Sequence, residues 1–322
     1  MTSPAAGETT GGGPGSLARA ETILRAACGE RVRTAFPLAQ LTTFRIGGLA
    51  ALFLEPESEA DLRAAGQAVR DAGVPFVVLG KGSNILVSDE GFPGLVLRLG
   101  KGFRWAARDG DRLTAGGSMP LPRLAGVALS HSLAGLEFGV AIPATLGGAV
   151  RMNAGAHGHS LHEVVERVDV FRLRTGSVQT IPAAEAGFVY RNSSLPEDGV
   201  VVAAGLRLRP GDQAAIRAEI DDARDWRRRT QPLAEPNCGS VFKNPEGGHA
   251  ARMVADLGLK GAAVGGASVS EKHANFIVAR PGARASDVVA LIRRIQEQVA
   301  DRYGVRLEPE VHLVGRFDTV PL

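Results

Sequence analysis

Six segments of the chain gather residue types that could do chemistry. Leu79 to Leu86 reads Leu-Gly-Lys-Gly-Ser-Asn-Ile-Leu between two apolar runs. Gly80 and Gly82 free successive backbone N–H groups to point into one concavity, which suits a pyrophosphate, and Lys81, Ser83 and Asn84 add donors. The segment is neither a P-loop, which needs Gly-Lys-Ser/Thr opening a helix, nor a dinucleotide Gly-x-Gly-x-x-Gly. Its residues would also serve a plain hairpin turn. Gly139 to Ala156 is a long stretch of small residues, including Ile142, Pro143, Ala144, Thr145, Gly148 and Gly155, with Arg151 and Asn153 as its large polar side chains. Glycine loses the most backbone entropy on folding, so such a stretch needs a reason. A flat aromatic ligand against main chain is one reason, and a close crossing of strands is another. Thr43 to Gly48 carries Arg45, and Phe188 to Ser193 carries Tyr190 and Arg191. Pro236 to Pro245 packs Asn237, Cys238, Ser240, Lys243 and Asn244 together, and Leu307 to Val311 carries Glu308 and Glu310.

Other chemistries fit less well. His157-x-His159-x-x-His162 has metal-like spacing but no carboxylate clearly placed beside it, so no metal is expected. Cys238 could be a nucleophile, but no spacing to a histidine supports it. Ser240 has no Gly-x-Ser-x-Gly elbow around it, which argues against a hydrolase serine.

These segments must be held by elements whose apolar periodicity predicts them. Helices are expected at Leu17 to Cys28, Ser58 to Ala72 and Pro122 to His131. Strands are expected at Ala51 to Leu54, Phe76 to Leu79, Ile85 to Val87, Leu95 to Leu97, Val168 to Leu173, Val178 to Ile181 and Val200 to Leu208. Pro210-Gly211-Asp212 reads as a turn and cap before a long helix through Arg229, with Ile216, Ile220 and Ala223 as its stripe. Further on, a strand is expected at Asn275 to Val278. A helix follows from Ser286 to Tyr303, with Val288, Ile292, Ile295 and Val299 on one face, and a closing strand runs from Val305 to Leu313. A domain boundary is placed near residue 210. Met1 to Ser16, with its glycine run, reads as a disordered tail.

Composition narrows the function. The 322 residues and 44% hydrophobic content allow two or three packed cores. No apolar run reaches the ~18 residues of a membrane span, and the first residues do not form a secretory signal. Two cysteines, far apart, make no disulfide framework and fit a reducing compartment. The net charge of +3 is spread out. The densest basic cluster, Arg224, Arg227, Arg228 and Arg229, interleaves with Asp221, Asp222 and Asp225, which reads as a solvated face and not a nucleic-acid stripe. Five lysines stand among 37 basic residues, and Lys81, Lys243 and the neighbourhood of Lys272 coincide with the segments above.

In this order and spacing, Gly80 to Asn84, Gly147 to Ala156 and Gly239 to Pro245, with the other segments, resemble the UDP-N-acetylenolpyruvoylglucosamine reductase (UDP-N-acetylmuramate dehydrogenase) family over residues 17 to 318. The resemblance implies an α+β fold. It comprises a vanillyl-alcohol-oxidase-type FAD-binding domain in two subdomains over 17–209 and a smaller α+β substrate domain over 210–322. The short interval from Arg191 to Ser240 resembles the compact class, without an extra insertion. The resemblance implies a cytoplasmic flavoenzyme of peptidoglycan precursor synthesis in which hydride passes from NADPH through FAD to the enolpyruvyl ether of a UDP-sugar. By it, Arg191 holds the substrate carboxylate, Ser240 donates a proton to carbon, and Glu310 orients or hydrogen-bonds the enol form. Tyr190, Lys243, Asn244 and His273 contact substrate. Gly80, Lys81, Gly82, Ser83, Asn84, Ile142, Pro143, Ala144, Thr145, Gly148, Asn153 and Gly155 bind FAD. The preference for NADPH is inherited from the family. No nucleic acid or membrane partner is expected, and a monomer is compatible with the sequence. A flavin oxidase of the same fold and a basic, glycine-looped nucleotide- or RNA-binding protein are the competing classes.

Overall fold

The computed structural model describes residues 13–317. Residues 1–12 of the expected tail lie outside them, whereas Pro14 to Ser16 already form the first turn of a helix, Pro14–Cys28, with proline near its start. Contacts divide the chain into two compact units. The first holds the described residues up to Thr34, with Ala51–Lys81 and Gly94–Arg227. The second holds Ala35–Ala50, Gly82–Pro93 and the described residues from Arg228 onward.

The first unit is built on a five-stranded antiparallel sheet. Its spatial order is Ser177–Pro182, Val165–Arg172, Gly199–Arg207, Arg112–Gly116 and Ala106–Asp109. The central strand is an unbroken apolar run because both its faces are covered. Val201 and Ala204 enter one core with the helices Leu121–Ser130 and Gln213–Thr230. Val200 and Val202 enter another with the helices Pro14–Cys28 and Glu59–Ala72. Ser58 caps the latter helix, its hydroxyl accepting the Asp61 N–H at 3.2 Å, and Gly73 ends it in the left-handed region.

The boundary expected at residue 210 is displaced to between Arg227 and Arg228. The turn at Pro210 exists, and Arg209–Pro210 even pairs with Leu133–Ala134. However, Ile216, Ile220 and Ala223 of the following helix are buried in the first unit's core, so burial and not the turn sets the division. Arg224, Arg228 and Arg229 are exposed as expected, whereas Arg227 is half-buried and its pKa is lowered by desolvation.

Asp61 is buried in the first turn of the helix Glu59–Ala72. Arg31 donates to both its carboxylate oxygens at 2.6 and 2.7 Å, and the Glu57 N–H adds a third bond at 2.8 Å. The Arg31 hydrogen bonds, against desolvation, bring the Asp61 pKa from 3.8 to about 2. A lowered carboxylate pKa contributes stability that is present above the unfolded value and lost as pH falls through the folded one. Asp61→Asn is therefore expected to remove about 2 kcal/mol at pH 7. The gap to wild type should narrow as pH falls towards 2, and urea unfolding at several pH values reads it. A pH-independent gap would show that packing and not charge is at stake.

The second unit pairs Asn237–Ser240, Phe276–Ala279, Ala267–Val269 and Ala263–Val264 as an antiparallel sheet. The helix Ala285–Tyr303 buries Val288, Ile292, Ile295 and Val299, the stripe read from the sequence, and stops at Gly304 in the left-handed region. Its first turn is capped from far away in sequence. The Asp89 carboxylate accepts the Ala285 and Ser286 N–H groups at 2.7 and 3.1 Å. The closing strand expected over Val305 to Leu313 is reduced to His312–Val314, which pairs in parallel with Ile85–Val87. Pro309 makes only an isolated bridge to Phe242, and a proline cannot donate to a ladder.

Candidate active site

In the first unit, three stretches of main chain line one cleft. Leu79 and Gly80 follow the strand Phe76–Val78, Gly117 and Ser118 follow Arg112–Gly116, and Thr145, Gly147 and Gly148 open the short helix Leu146–Arg151. The Thr145 hydroxyl accepts the Gly148 N–H at 3.3 Å, and the Gly147 N–H donates to the Gly117 carbonyl at 2.9 Å. A Cβ at Gly80 would lie 2.6 Å from Thr145 Oγ1, and one at Gly147 would lie 2.9 Å from the Val201 carbonyl oxygen. Only glycine permits these approaches. The result is a wall of backbone with Arg98, Arg104 and Arg151 also lining it, which fits a flat ring carrying phosphates. The cleft-lining Gly117, Ser118, Arg98 and Arg104 escaped the sequence reading. The pair Gly116-Gly117 ahead of a proline-capped helix was the signal that could have found the first two.

The other expected residues of this unit divide by task. Ile142, Pro143 and Ala144 lead into Thr145 half-buried, and Ala144 supplies a carbonyl to the Leu121 N–H at 2.9 Å. Lys81 is exposed and is the last residue of its segment. Gly155 lies in a small hairpin, paired with Ser160, and does not line the cleft. Asn153 is buried, with its backbone in the left-handed region, and its side chain is committed to main chain. It donates to the Val189 carbonyl at 2.9 Å and accepts the His162 N–H at 3.0 Å. Arg151, half-buried and with its pKa lowered by desolvation, donates to the carbonyls of Leu195, Pro196 and Gly199 at 3.0, 3.0 and 2.6 Å. Asn153 and Arg151 thus brace both ends of the segment that carries Tyr190 and Arg191. Those two form a tight turn closed by reciprocal bonds between Val189 and Asn192, with the Arg191 guanidinium 4.8 Å from the centroid of the Tyr190 ring.

The histidine triplet has ordinary partners. His159 Nδ1 meets Glu163 at 2.8 Å, His162 Nδ1 meets the Ser160 hydroxyl at 2.7 Å, and His157 lies edge-on to Trp226. Among the described residues, no group of three His, Cys, Asp or Glu side chains could hold a metal.

In the second unit, Ser240 ends the strand Asn237–Ser240 at a bulge. Gly239 has φ +82°, and its N–H is held by Asn237 Oδ1 at 2.9 Å. The chain then runs beside Glu308 to Val311. The Glu310 N–H donates to the Val241 carbonyl at 2.7 Å, and the Lys243 N–H donates to the Glu308 carbonyl at 2.9 Å. Ser240 and Glu310 are therefore carried on adjacent, hydrogen-bonded segments. Asn275, buried and unforeseen in this part, fixes the same stretch by exchanging side-chain hydrogen bonds with the N–H and carbonyl of Phe242 at 2.9 and 2.8 Å. Gly82 accepts the Thr43 N–H, and the Asn84 side chain donates to the Glu310 carbonyl at 3.0 Å, so this half of the glycine loop lies beside the same acid. The Ser83 carbonyl lies 3.9 Å from where a Cβ on Gly239 would be.

Lys243 Nζ pairs with the exposed Glu308 carboxylate, and Asn244 Oδ1 accepts the Ala250 N–H at 3.1 Å at the start of a helix. His273 is edge-on to Phe276, and burial followed by the Lys260 charge lowers its pKa. Cys238 is buried, and burial and then the Glu310 charge push its thiol pKa up, which leaves no thiolate for nucleophilic work. His312, also in this region, has its pKa lowered by burial and then Lys243.

Comparison with known proteins places this geometry in context. A family model described as an FAD binding domain matches residues 50–182, and one described as UDP-N-acetylenolpyruvoylglucosamine reductase, C-terminal domain, matches residues 231–314. A UDP-N-acetylenolpyruvoylglucosamine reductase of Heliobacterium modesticaldum is 46% identical over 87% of this chain and 89% of its own length. One from Anaeromyxobacter sp. is 46% identical over 95% of both chains. The crystal structure of UDP-N-acetylenolpyruvylglucosamine reductase from Thermus caldophilus superposes with a TM-score of 0.76 at 36% identity, covering 88% of this chain and 98% of that one. The mixed α+β architecture with an FAD-binding domain agrees with these matches. With 46% identity across nearly its whole length, the chain belongs to the UDP-N-acetylenolpyruvoylglucosamine reductase family.

Proposed function

We propose that this chain reduces UDP-N-acetylglucosamine enolpyruvate to UDP-N-acetylmuramate in peptidoglycan precursor synthesis, with NADPH as reductant. The observation that carries the chemistry is the direct backbone bond from Glu310 to Val241, which sets an acid and the Ser240 hydroxyl on neighbouring segments of the second unit. The glycine-walled cleft of the first unit, with its arginines, would hold FAD. When bound, FAD supplies hydride taken from NADPH. Lys81 and the main chain of Gly80, Gly82 and Ser83 would meet the cofactor's phosphates, and Thr145 and Gly148 its ring. Ile142, Pro143 and Ala144 would shape the approach to that ring.

The residues assigned to the substrate are Tyr190 and Arg191 of the first unit and Ser240, Lys243, Asn244, His273 and Glu310 of the second. Hydride addition to the enolpyruvyl methylene leaves negative charge on the adjoining carbon and its carboxylate. The Arg191 guanidinium would hold that carboxylate, Glu310 would hydrogen-bond its enol form, and the Ser240 hydroxyl would deliver the proton to carbon. Tyr190, Lys243, Asn244 and His273 would contact the sugar nucleotide, with Lys243 leaving Glu308 for phosphate. Among the described residues no helix is long and apolar enough to cross a membrane, and a cytoplasmic site suits both NADPH and a UDP-sugar.

The purified protein is expected to be yellow with a flavin spectrum. It should consume one NADPH per enolpyruvyl substrate and form the lactyl ether. NADPH oxidation that ignores the substrate and consumes oxygen instead would make the protein a flavin oxidase. A colourless protein that shifts RNA in a gel would remove it from the enzymes altogether.

A further inference from the structure

We infer that Asn84 is a positioning residue for Glu310, acting through the acid's main chain and not on the cofactor. The inference rests on the reading of Glu310 as a catalytic group. Glu310 precedes the strand His312–Val314, so no continuous ladder holds it. Its backbone is held on both sides instead. The N–H donates to the Val241 carbonyl at 2.7 Å, which ties it to the residue after Ser240, and the carbonyl accepts Asn84 Nδ2 at 3.0 Å. The Asn84 carbonyl in turn accepts the His312 N–H at 3.0 Å, which begins the parallel pairing of His312–Val314 with Ile85–Val87. One asparagine thus joins the end of the glycine loop to the acid 226 positions along the chain. One of the two N–H groups of its amide is thereby committed to that carbonyl.

An alanine at position 84 leaves the Glu310 carbonyl without this partner. An aspartate of the same shape places an acceptor against an acceptor. Either change frees one of the two backbone anchors that hold Glu310 against the Ser240 segment, and displacement of a reacting group by about 1 Å can slow a reaction on the order of 100-fold.

The test separates the two half-reactions by stopped flow in holoenzyme carrying Asn84→Ala or Asn84→Asp. Flavin content and reduction by NADPH should stay within about twofold of wild type, which also reads folding, while reoxidation by the enolpyruvyl substrate falls about 10- to 100-fold. Combined with Glu310→Ala, Asn84→Ala should slow reoxidation by less than about threefold further, because its effect passes through the residue already removed. Lost flavin or slow reduction by NADPH would assign the side chain to the cofactor and overturn the inference. So would full additivity with Glu310→Ala, or a failure of both variants to fold. If Glu310→Ala alone reoxidises at wild-type speed, the catalytic reading of Glu310 fails first and takes the inference with it.

Discussion

Ser240→Ala is expected to bind FAD and accept electrons from NADPH at the wild-type rate, yet lose about 10²- to 10⁴-fold in turnover of the enolpyruvyl substrate. The two halves of this expectation have different origins. The backbone around Ser240 is fixed without its hydroxyl. The strand pairs Ser240 with Phe276, the Gly239 bulge is pinned by Asn237, and Asn275 clamps Phe242. Deleting one oxygen from a half-buried residue leaves all of these bonds, so a change in stability beyond about 0.5 kcal/mol is not expected. The chemical loss is large because the proton must reach carbon. A hydroxyl is a weak acid, and only a strongly basic carbon held close to it can take that proton. Cys238, the neighbouring thiol, offers no substitute, since it is buried and its pKa is raised. Rapid-mixing measurements should show fast bleaching of the flavin by NADPH followed by stalled reoxidation when substrate is added. Undiminished turnover would strike Ser240 from the mechanism.

The amphipathic helices were legible in the sequence because their apolar stripes recur at helical spacing. Gln213–Thr230 and Ala285–Tyr303 are the clearest cases, with Ile216, Ile220 and Ala223 in one and Val288, Ile292, Ile295 and Val299 in the other. The same stripe did not say which core it entered, and the boundary near 210 moved for that reason. The discontinuous makeup of the second unit was illegible. Asp89 capping Ala285 and Asn84 meeting Glu310 join positions about 200 residues apart, and no local pattern encodes such pairs. At the site, glycines at 80 and 147 announced a close approach, which the clash of an added Cβ explains. The polar residues were harder to sort. Asn153 and Arg151 stood in the same motif as Gly147, yet they brace the backbone of the Tyr190 segment. A polar side chain in a glycine-rich motif serves main chain as readily as ligand, and only its partners tell which.

Arg191 offers the sharpest contrast between folding and activity, because its local structure would prefer another residue. Its φ is +57° at the third position of the Val189 to Asn192 turn, a conformation natural to glycine and strained by roughly 1 kcal/mol or more for a residue that carries a Cβ. Arg191→Gly should therefore leave the melting temperature unchanged or raise it, while abolishing the carboxylate grip. Arg191→Lys keeps the charge and the strain but loses the planar fork, which grips a carboxylate with two parallel bonds, and it stacks less well on the Tyr190 ring. Both variants should lose about 10²- to 10³-fold in kcat/KM. For lysine, kcat should fall along with a rise in KM, because charge gathers on the carboxylate as hydride adds and the fork is worth more then than in the bound substrate. Thermal melts beside steady-state kinetics of the two variants decide the matter. A glycine variant that is at least as stable and inactive fixes the arginine as a functional choice made against its own turn, whereas one that keeps full activity would show that the turn alone matters and that the carboxylate is held elsewhere.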